Sequence, residues 1–253
     1  MEFKNFEDRF SITLHEPSHM LLAIPAKDLL HESNMLHLLD TYGPLIKSGE
    51  RFVTAAFVCN WLASLCNGMQ NMLFCGETFI YNLSLDNLIV QLYTDGHYPL
   101  ISFKIKNTSR IHVPDQSREE WLINALNTFY REHVRPLLET LAKVVQINVL
   151  SLWGQVISTL YGHIEEEPPP LSGENSKGSI HAILRNGLRV GTFGLQKNPF
   201  KIKLRYIEHP NDPNSQILVK SVCCLAYRLD AGFGYCYSCP RLKEAAQSSM
   251  DNS

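Results

Sequence analysis

The sequence predicts an α+β fold: a helix-rich N-terminal part carrying antiparallel β-hairpins, and a C-terminal β-hairpin that leads into a cysteine-rich loop. Three observations predict it. Apolar residues recur at helical spacing through most of residues 1–164, two segments alternate with period two around turn formers, and one proline-rich run separates the two parts. With 253 residues, 45% hydrophobic and 19% charged, the chain can bury one large or two small cores without covalent staples.

Helices are expected over roughly Ala26 to Leu39 and Glu50 to Met69. The run Leu88-Ile-Val-Gln-Leu-Tyr, the pair Asp95-Gly96 and the alternating run Ile101-Ser-Phe-Lys-Ile-Lys then read as a β-hairpin. Ser117 and Glu120 have the spacing of a capping box, opening a helix with Trp121, Leu122, Ala125, Leu126 and Phe129 on one face. Pro136 breaks or restarts it, and a second helix carries Leu137, Leu138, Leu141, Val144 and Val145. Residues 165–176 hold four glutamates, three consecutive prolines and turn formers, which cannot continue helix or strand and read as an exposed linker.

In the C-terminal part, residues 177–240, Phe200, Ile202, Leu204 and Tyr206 alternate with Lys201, Lys203 and Arg205, the pattern of a strand. Pro210 to Ser215 then turns the chain into Gln216 to Val222, which delivers it to Cys223. Residues 241–253 read as a disordered tail, and no repeat of 20–50 residues is present.

The N-terminus alternates charges with aromatics and has neither the basic start nor the apolar run of a secretory signal. The apolar stretches Phe52 to Leu65 and Val144 to Leu160 are interrupted by polar residues, so neither reads as a membrane span. A cytoplasmic location is therefore expected, with peripheral membrane contact left open. The net charge of −2 hides an asymmetry: residues 1–176 carry 12 Lys/Arg against 20 Asp/Glu, and residues 177–253 carry 11 against 5. A basic C-terminal part suits an anionic ligand or an acidic protein partner. Nucleic acid is not expected, because the basic residues form no dense cluster interleaved with aromatics.

Four of the seven cysteines fall within seventeen residues, as Cys223-Cys224-x11-Cys236-x2-Cys239. Cys59 and Cys66 lie seven apart on an apolar helix and, with Cys75, read as small core hydrophobes. For the C-terminal four a metal site is the economical explanation, since a reducing compartment discourages structural disulfides. Cys236-x2-Cys239 fits half of a zinc pattern, but adjacent cysteines in an extended chain point to opposite sides and do not easily share one ion. A [2Fe–2S] cluster divides its thiolates between two irons and fits better, with a zinc-stabilised binding domain and no metal as the alternatives. Gly232 and Gly234 let the intervening loop fold closely, and Arg228 is placed to act electrostatically on the site or to form a surface salt bridge.

The segment Val222-Cys-Cys-x-x-Tyr-Arg-Leu229, closed by Cys236-x2-Cys239, resembles the FhuF-like ferric siderophore reductases, whose pattern is Cys-Cys-x10-Cys-x2-Cys. This chain has one residue more between the pairs, in the glycine-containing loop, where an insertion costs little. Val149 to Gly154 and the helical N-terminal part look similar without a sharp motif. The resemblance implies a four-cysteine [2Fe–2S] cluster, a ferric siderophore substrate and release of ferrous iron in the cytoplasm. The electron would come from a ferredoxin or a flavin or NAD(P)H reductase. Lys201, Lys203, Arg205 and Arg228 are the candidate substrate-positioning groups, because they lie on the expected strand and loop nearest the cysteines in sequence. A general electron-transfer module is the rival reading. The ten histidines show no ligand-pair spacing, and Gly187 to Gly194 matches no phosphate-binding loop.

Overall fold

The computed structural model describes residues 3–75, 77–166 and 176–242. The linker expected over 165–176 therefore lies almost wholly outside the described residues, as does the tail beyond Leu242. The fold is α+β. Its elements are α1 (Phe3–Phe10), β1 (Ile12–Thr13), β2 (Met20–Pro25), α2 (Glu32–Leu45), α3 (Arg51–Phe74), β3 (Phe79–Tyr81), β4 (Leu88–Thr94) and β5 (Pro99–Ile105). They continue with β6 (Arg110–His112), α4 (Arg118–Phe129), α5 (Arg135–Val145), α6 (Val149–Glu166), α7 (Ser176–Ala182), β7 (Tyr206–His209) and β8 (Asp212–Leu218).

The predicted hairpin is β4–β5. Its turn is set by the Asp95 carboxylate, which accepts the N–H groups of His97 and Tyr98. Gly96 supplies the positive φ of 94° that the turn requires. β2 pairs antiparallel on the other side of β4 and β1 pairs parallel to β5, giving the order β1-β5-β4-β2. Opposed Leu88 and Ile105, Val90 and Phe103, and Leu92 and Ile101 are buried, so this face of the sheet packs into the core.

α3 is the central helix, buried on most of its surface and packed against α6, α1 and α2. It is long and apolar enough to cross a membrane, yet 72% of its most apolar stretch is buried inside the fold, the signature of a core helix. One hydrophobic cluster runs from Phe6 through α3 and α6 to Phe200, including the rings of Tyr130, Trp153, Phe193 and Phe200, which meet edge-on or tilted. A smaller cluster holds Cys223, Cys239 and Leu242.

Four local expectations are corrected. The first N-terminal helix splits into a 3-10 turn, Ala26–Leu30, and α2, which runs on to Leu45. Ser117 does precede α4, but with φ 53° it is left-handed and its side chain caps nothing, so the capping box is not formed. Of the two readings of Pro136, restart holds and break does not: it sits in the first turn of α5. It lacks the N–H for the i−4 carbonyl, and the chain absorbs this with a π-turn over Tyr130–Val134 before α5 begins. Finally, residues 200–205 are not a strand, and the hairpin turn is tighter than expected, with Asp212 to Ser215 already inside β8. Side chains take the place of a partner strand: the Tyr161 hydroxyl donates to the Phe200 carbonyl, and Arg185 donates to that of Ile202.

Candidate metal centre

The chain reaches the cysteines along α6. Beyond β8, the Val219 N–H donates to the Arg205 carbonyl at 2.8 Å, and the Lys220 N–H donates to the Ser238 carbonyl at 2.9 Å, tying the start of the cysteine loop to its end. Ser221 then sits against Ser158: its N–H donates to Ser158 Oγ at 2.9 Å, and the two hydroxyls lie 2.7 Å apart. Val222 packs where α6 has Gly154, whose missing Cβ would lie 2.7 Å from Val222 Cγ1. Gln155, buried in the same helix, donates from its side-chain amide to the Cys223 carbonyl at 2.5 Å. Three adjacent loop residues are thus held on one helix face within a turn and a half.

Past Cys224 the loop crosses to the α2–α3 junction. Leu225 takes a left-handed φ of 64° into a 3-10 turn at Ala226–Arg228, and the Asp230 N–H donates to the Lys47 carbonyl. Arg228 is engaged there. Its guanidinium pairs with the Glu50 carboxylate at 2.7 Å and lies over the Phe52 ring at 4.8 Å from the centroid. Gly232, with φ 74°, turns the chain back, and the rings of Tyr227 and Tyr235 stack at 4.5 Å. Arg241 donates to the Tyr227 hydroxyl and covers that ring. Phe233, Tyr235 and Tyr237 leave 55%, 39% and 40% of their surface exposed beside the cysteines in sequence.

All four thiols are free, and they come together as two pairs. Cys239 Sγ lies 3.5 Å from Cys223 Sγ, and both residues are buried. Cys224 and Cys236 form the other pair, near enough for each thiol to act on the other, and are only half-buried. A metal–thiolate bond of about 2.3 Å at a tetrahedral angle sets two sulfurs on one ion about 3.8 Å apart, so the buried pair is already near ligating distance. The turn of Cys236-x2-Cys239 is closed by the Cys239 N–H on the Cys236 carbonyl at 2.9 Å. Among the described residues, no three His, Cys, Asp or Glu side chains converge on one point. Two pairs of soft thiolates are a donor set suited to two irons.

The electrostatics follow this geometry. The neighbouring Cys224 thiol holds the Cys236 thiol below its ordinary range, aided by the Lys220 charge and the Ser238 hydroxyl. The Cys236 sulfur in turn, with burial, pushes Cys224 up. The outer pair thus carries a ready thiolate, the form that ligates metal. Cys59 and Cys66 are fully buried in α3, where burial drives both thiols far above their ordinary range. Cys75 is half-buried and bonds Asn71.

The nominated cations fall differently. Lys201, Lys203 and Arg205 point to solvent while Ile202 and Leu204 pack on the core, so the alternation has the meaning expected of it although no strand forms. Lys220, which acts on both outer thiols, was not singled out in the sequence, nor were Gly154, Gln155 and Ser158. A glycine, a glutamine and a serine on an apolar helix were the available signal. Two clefts, of 370 Å³ between α1 and β3 and of 460 Å³ beside Trp61 and His15, are lined by residues of the N-terminal half and by none of the four cysteines.

Residues 221–241 match the family described as the FhuF 2Fe-2S C-terminal domain. No curated protein matches the chain. The segment is similar to cluster-binding domains of the FhuF type, which supports an iron–sulfur protein that transfers electrons. Its cofactor is a [2Fe–2S] cluster, for which Cys223, Cys224, Cys236 and Cys239 are the thiolate set at hand.

Proposed function

We propose that the protein is a ferric siderophore reductase, which releases iron from its chelate in the cytoplasm by one-electron reduction to Fe(II). The observation that supports it most is the pairing of four thiols within a FhuF-type segment whose outer edge is half-exposed and faces a lysine. When bound, the cluster supplies a single electron at a time. Siderophore oxygens are hard ligands that favour Fe(III) over Fe(II), so one electron is enough to loosen the chelate.

The chain's own residues hold and tune. The thiolates ligate, Gln155 and Ser158 hold the loop to α6, and Lys220 favours added negative charge at the outer thiols. Lys201, Lys203 and Arg205 offer an exposed cationic row for an anionic chelate, and the rim of Phe233, Tyr235 and Tyr237 offers contact area. No enclosed pocket is required for electron transfer at such an open edge. The electron donor is a reduced ferredoxin or a flavin or NAD(P)H reductase, for which the basic C-terminal part is a fitting face.

The test is an anaerobic titration of the dithionite-reduced protein with different ferric siderophores, followed at the cluster's visible bands with a ferrous chelator present. A reductase reoxidises with one Fe(II) released per cluster and prefers some siderophores. A general electron carrier reoxidises without preference among small ferric chelates, and a zinc-stabilised domain shows no bands at all.

A further inference from the structure

The order of the cysteines in sequence suggests two ligand pairs, Cys223 with Cys224 and Cys236 with Cys239. Space divides them otherwise. Cys239 Sγ meets Cys223 Sγ at 3.5 Å beside Leu242, which leaves Cys224 and Cys236, both on the more open side, as the other pair. Of the adjacent thiols, Cys223 is buried against Cys239 while Cys224 stays on the open side, and the Cys236-x2-Cys239 turn, closed by the Cys239 N–H on the Cys236 carbonyl, carries one thiol to each side.

The two pairs also differ in surroundings. Cys223 and Cys239 are 9% and 1% exposed, packed with Leu242 and Leu225. Cys224 and Cys236 are half-exposed; Lys220 is fixed beside them by its N–H on the Ser238 carbonyl at 2.9 Å, and Ser238 Oγ lies 3.7 Å from Cys236 Sγ. Reduction adds one negative charge to the cluster. Solvent, a cation and a hydroxyl stabilise that charge, whereas apolar burial opposes it.

We propose that Cys223 and Cys239 ligate one iron, that Cys224 and Cys236 ligate the other, and that the second, beside Lys220, is the iron that becomes ferrous. The change is one electron: the outer ferric ion takes it from a reduced ferredoxin- or flavin-type donor and returns it to a ferric acceptor, with no bond made or broken in the protein. The inference rests on the [2Fe–2S] cofactor and is independent of the substrate.

Single Cys→Ser variants of the holoprotein test it, read by midpoint potential and by the reduced-state electron paramagnetic resonance spectrum. A serine oxygen is a harder ligand and holds its iron ferric. Cys224→Ser and Cys236→Ser are expected to lower the potential strongly and alike. Cys223→Ser and Cys239→Ser are expected to share a second, smaller effect. Variants that group as 223 with 224 and 236 with 239 would overturn the pairing, and four equal shifts would overturn the choice of the outer iron. Lys220→Gln keeps every ligand and is expected to lower the potential at full cluster occupancy; an unchanged potential also overturns that choice. Should a serine variant lose its cluster, hexacyanoferrate(III) can strip it from the wild-type holoprotein, two equivalents being consumed per disulfide formed. Peptide mapping should then find Cys223–Cys239 and Cys224–Cys236, and a Cys236–Cys239 or Cys223–Cys224 bridge would overturn the pairing.

Discussion

The buried side-chain amide of Gln155 in α6 donates a 2.5 Å hydrogen bond to the backbone carbonyl of Cys223, sixty-eight residues further along the chain. It joins the helical core to the first cysteine of the site. Gln155→Leu keeps the volume but leaves a buried carbonyl unpaired, at a cost of about 1–3 kcal/mol. Thermal unfolding should register that loss, and retention of iron against a strong chelator should fall by about 10- to 100-fold, the usual scale for groups that orient metal ligands. Wild-type retention in this variant would show that the contact does not support the cluster.

Gly154 and Val222 yield a second expectation. On an unobstructed helix, Gly→Ala stabilises by about 1 kcal/mol. Here the added Cβ would lie 2.7 Å from Val222 Cγ1, and overpacking of that kind costs about 1–3 kcal/mol, so the clash should win. Gly154→Ala should therefore lower both stability and cluster content, and Gly154→Ala with Val222→Ala should recover most of the loss. Chemical denaturation and iron analysis of the double-mutant cycle read the outcome.

The core cysteines make a prediction about pH. Burial raises the thiols of Cys59 and Cys66 above the ordinary value of 9.0, so the folded chain keeps protons that the unfolded chain loses. The stability they contribute is complete below about pH 9 and declines as pH rises beyond it. Denaturation midpoints should fall on the alkaline side, less steeply in Cys59→Ala and Cys66→Ala. Both thiols should resist alkylation at pH 8 until the protein unfolds, and both variants should keep the wild-type visible spectrum.

The sequence was most legible where a pattern is local. The β4–β5 hairpin follows from Asp95-Gly96 between alternating runs, and α4, α5 and the four-cysteine group follow from spacing within twenty residues. It was less legible where distant residues decide. Phe200 to Arg205 has the alternation of a strand, but Tyr161 and Arg185 satisfy its carbonyls, a fact that no local pattern carries. Gln155, Gly154 and Ser158 matter only because the chain returns to α6 at Ser221. Arg228 could be read as a salt bridge or as a site cation, and its partners Glu50 and Phe52 lie far away in sequence.

Lys201, Lys203 and Arg205 bear on the substrate. Replacing all three with Gln should change stability little, since exposed charges typically contribute less than about 0.5 kcal/mol each. Reduction of an anionic ferric siderophore should slow roughly tenfold at low salt. The defect should vanish near 1 M salt, where screening acts over about 3 Å. Stopped-flow rates with anionic and neutral ferric chelates separate the cases, and equal rates for the triple variant and wild type on anionic chelates at low salt would remove these residues from the site.

The central claim is that the C-terminal thiols hold a [2Fe–2S] cluster, and metal and sulfide analysis of anaerobically purified, folded protein tests it most directly. About two irons and two acid-labile sulfides per chain are expected, with visible absorption that bleaches on reduction by dithionite. Stoichiometric zinc without sulfide in a colourless, folded sample would contradict it.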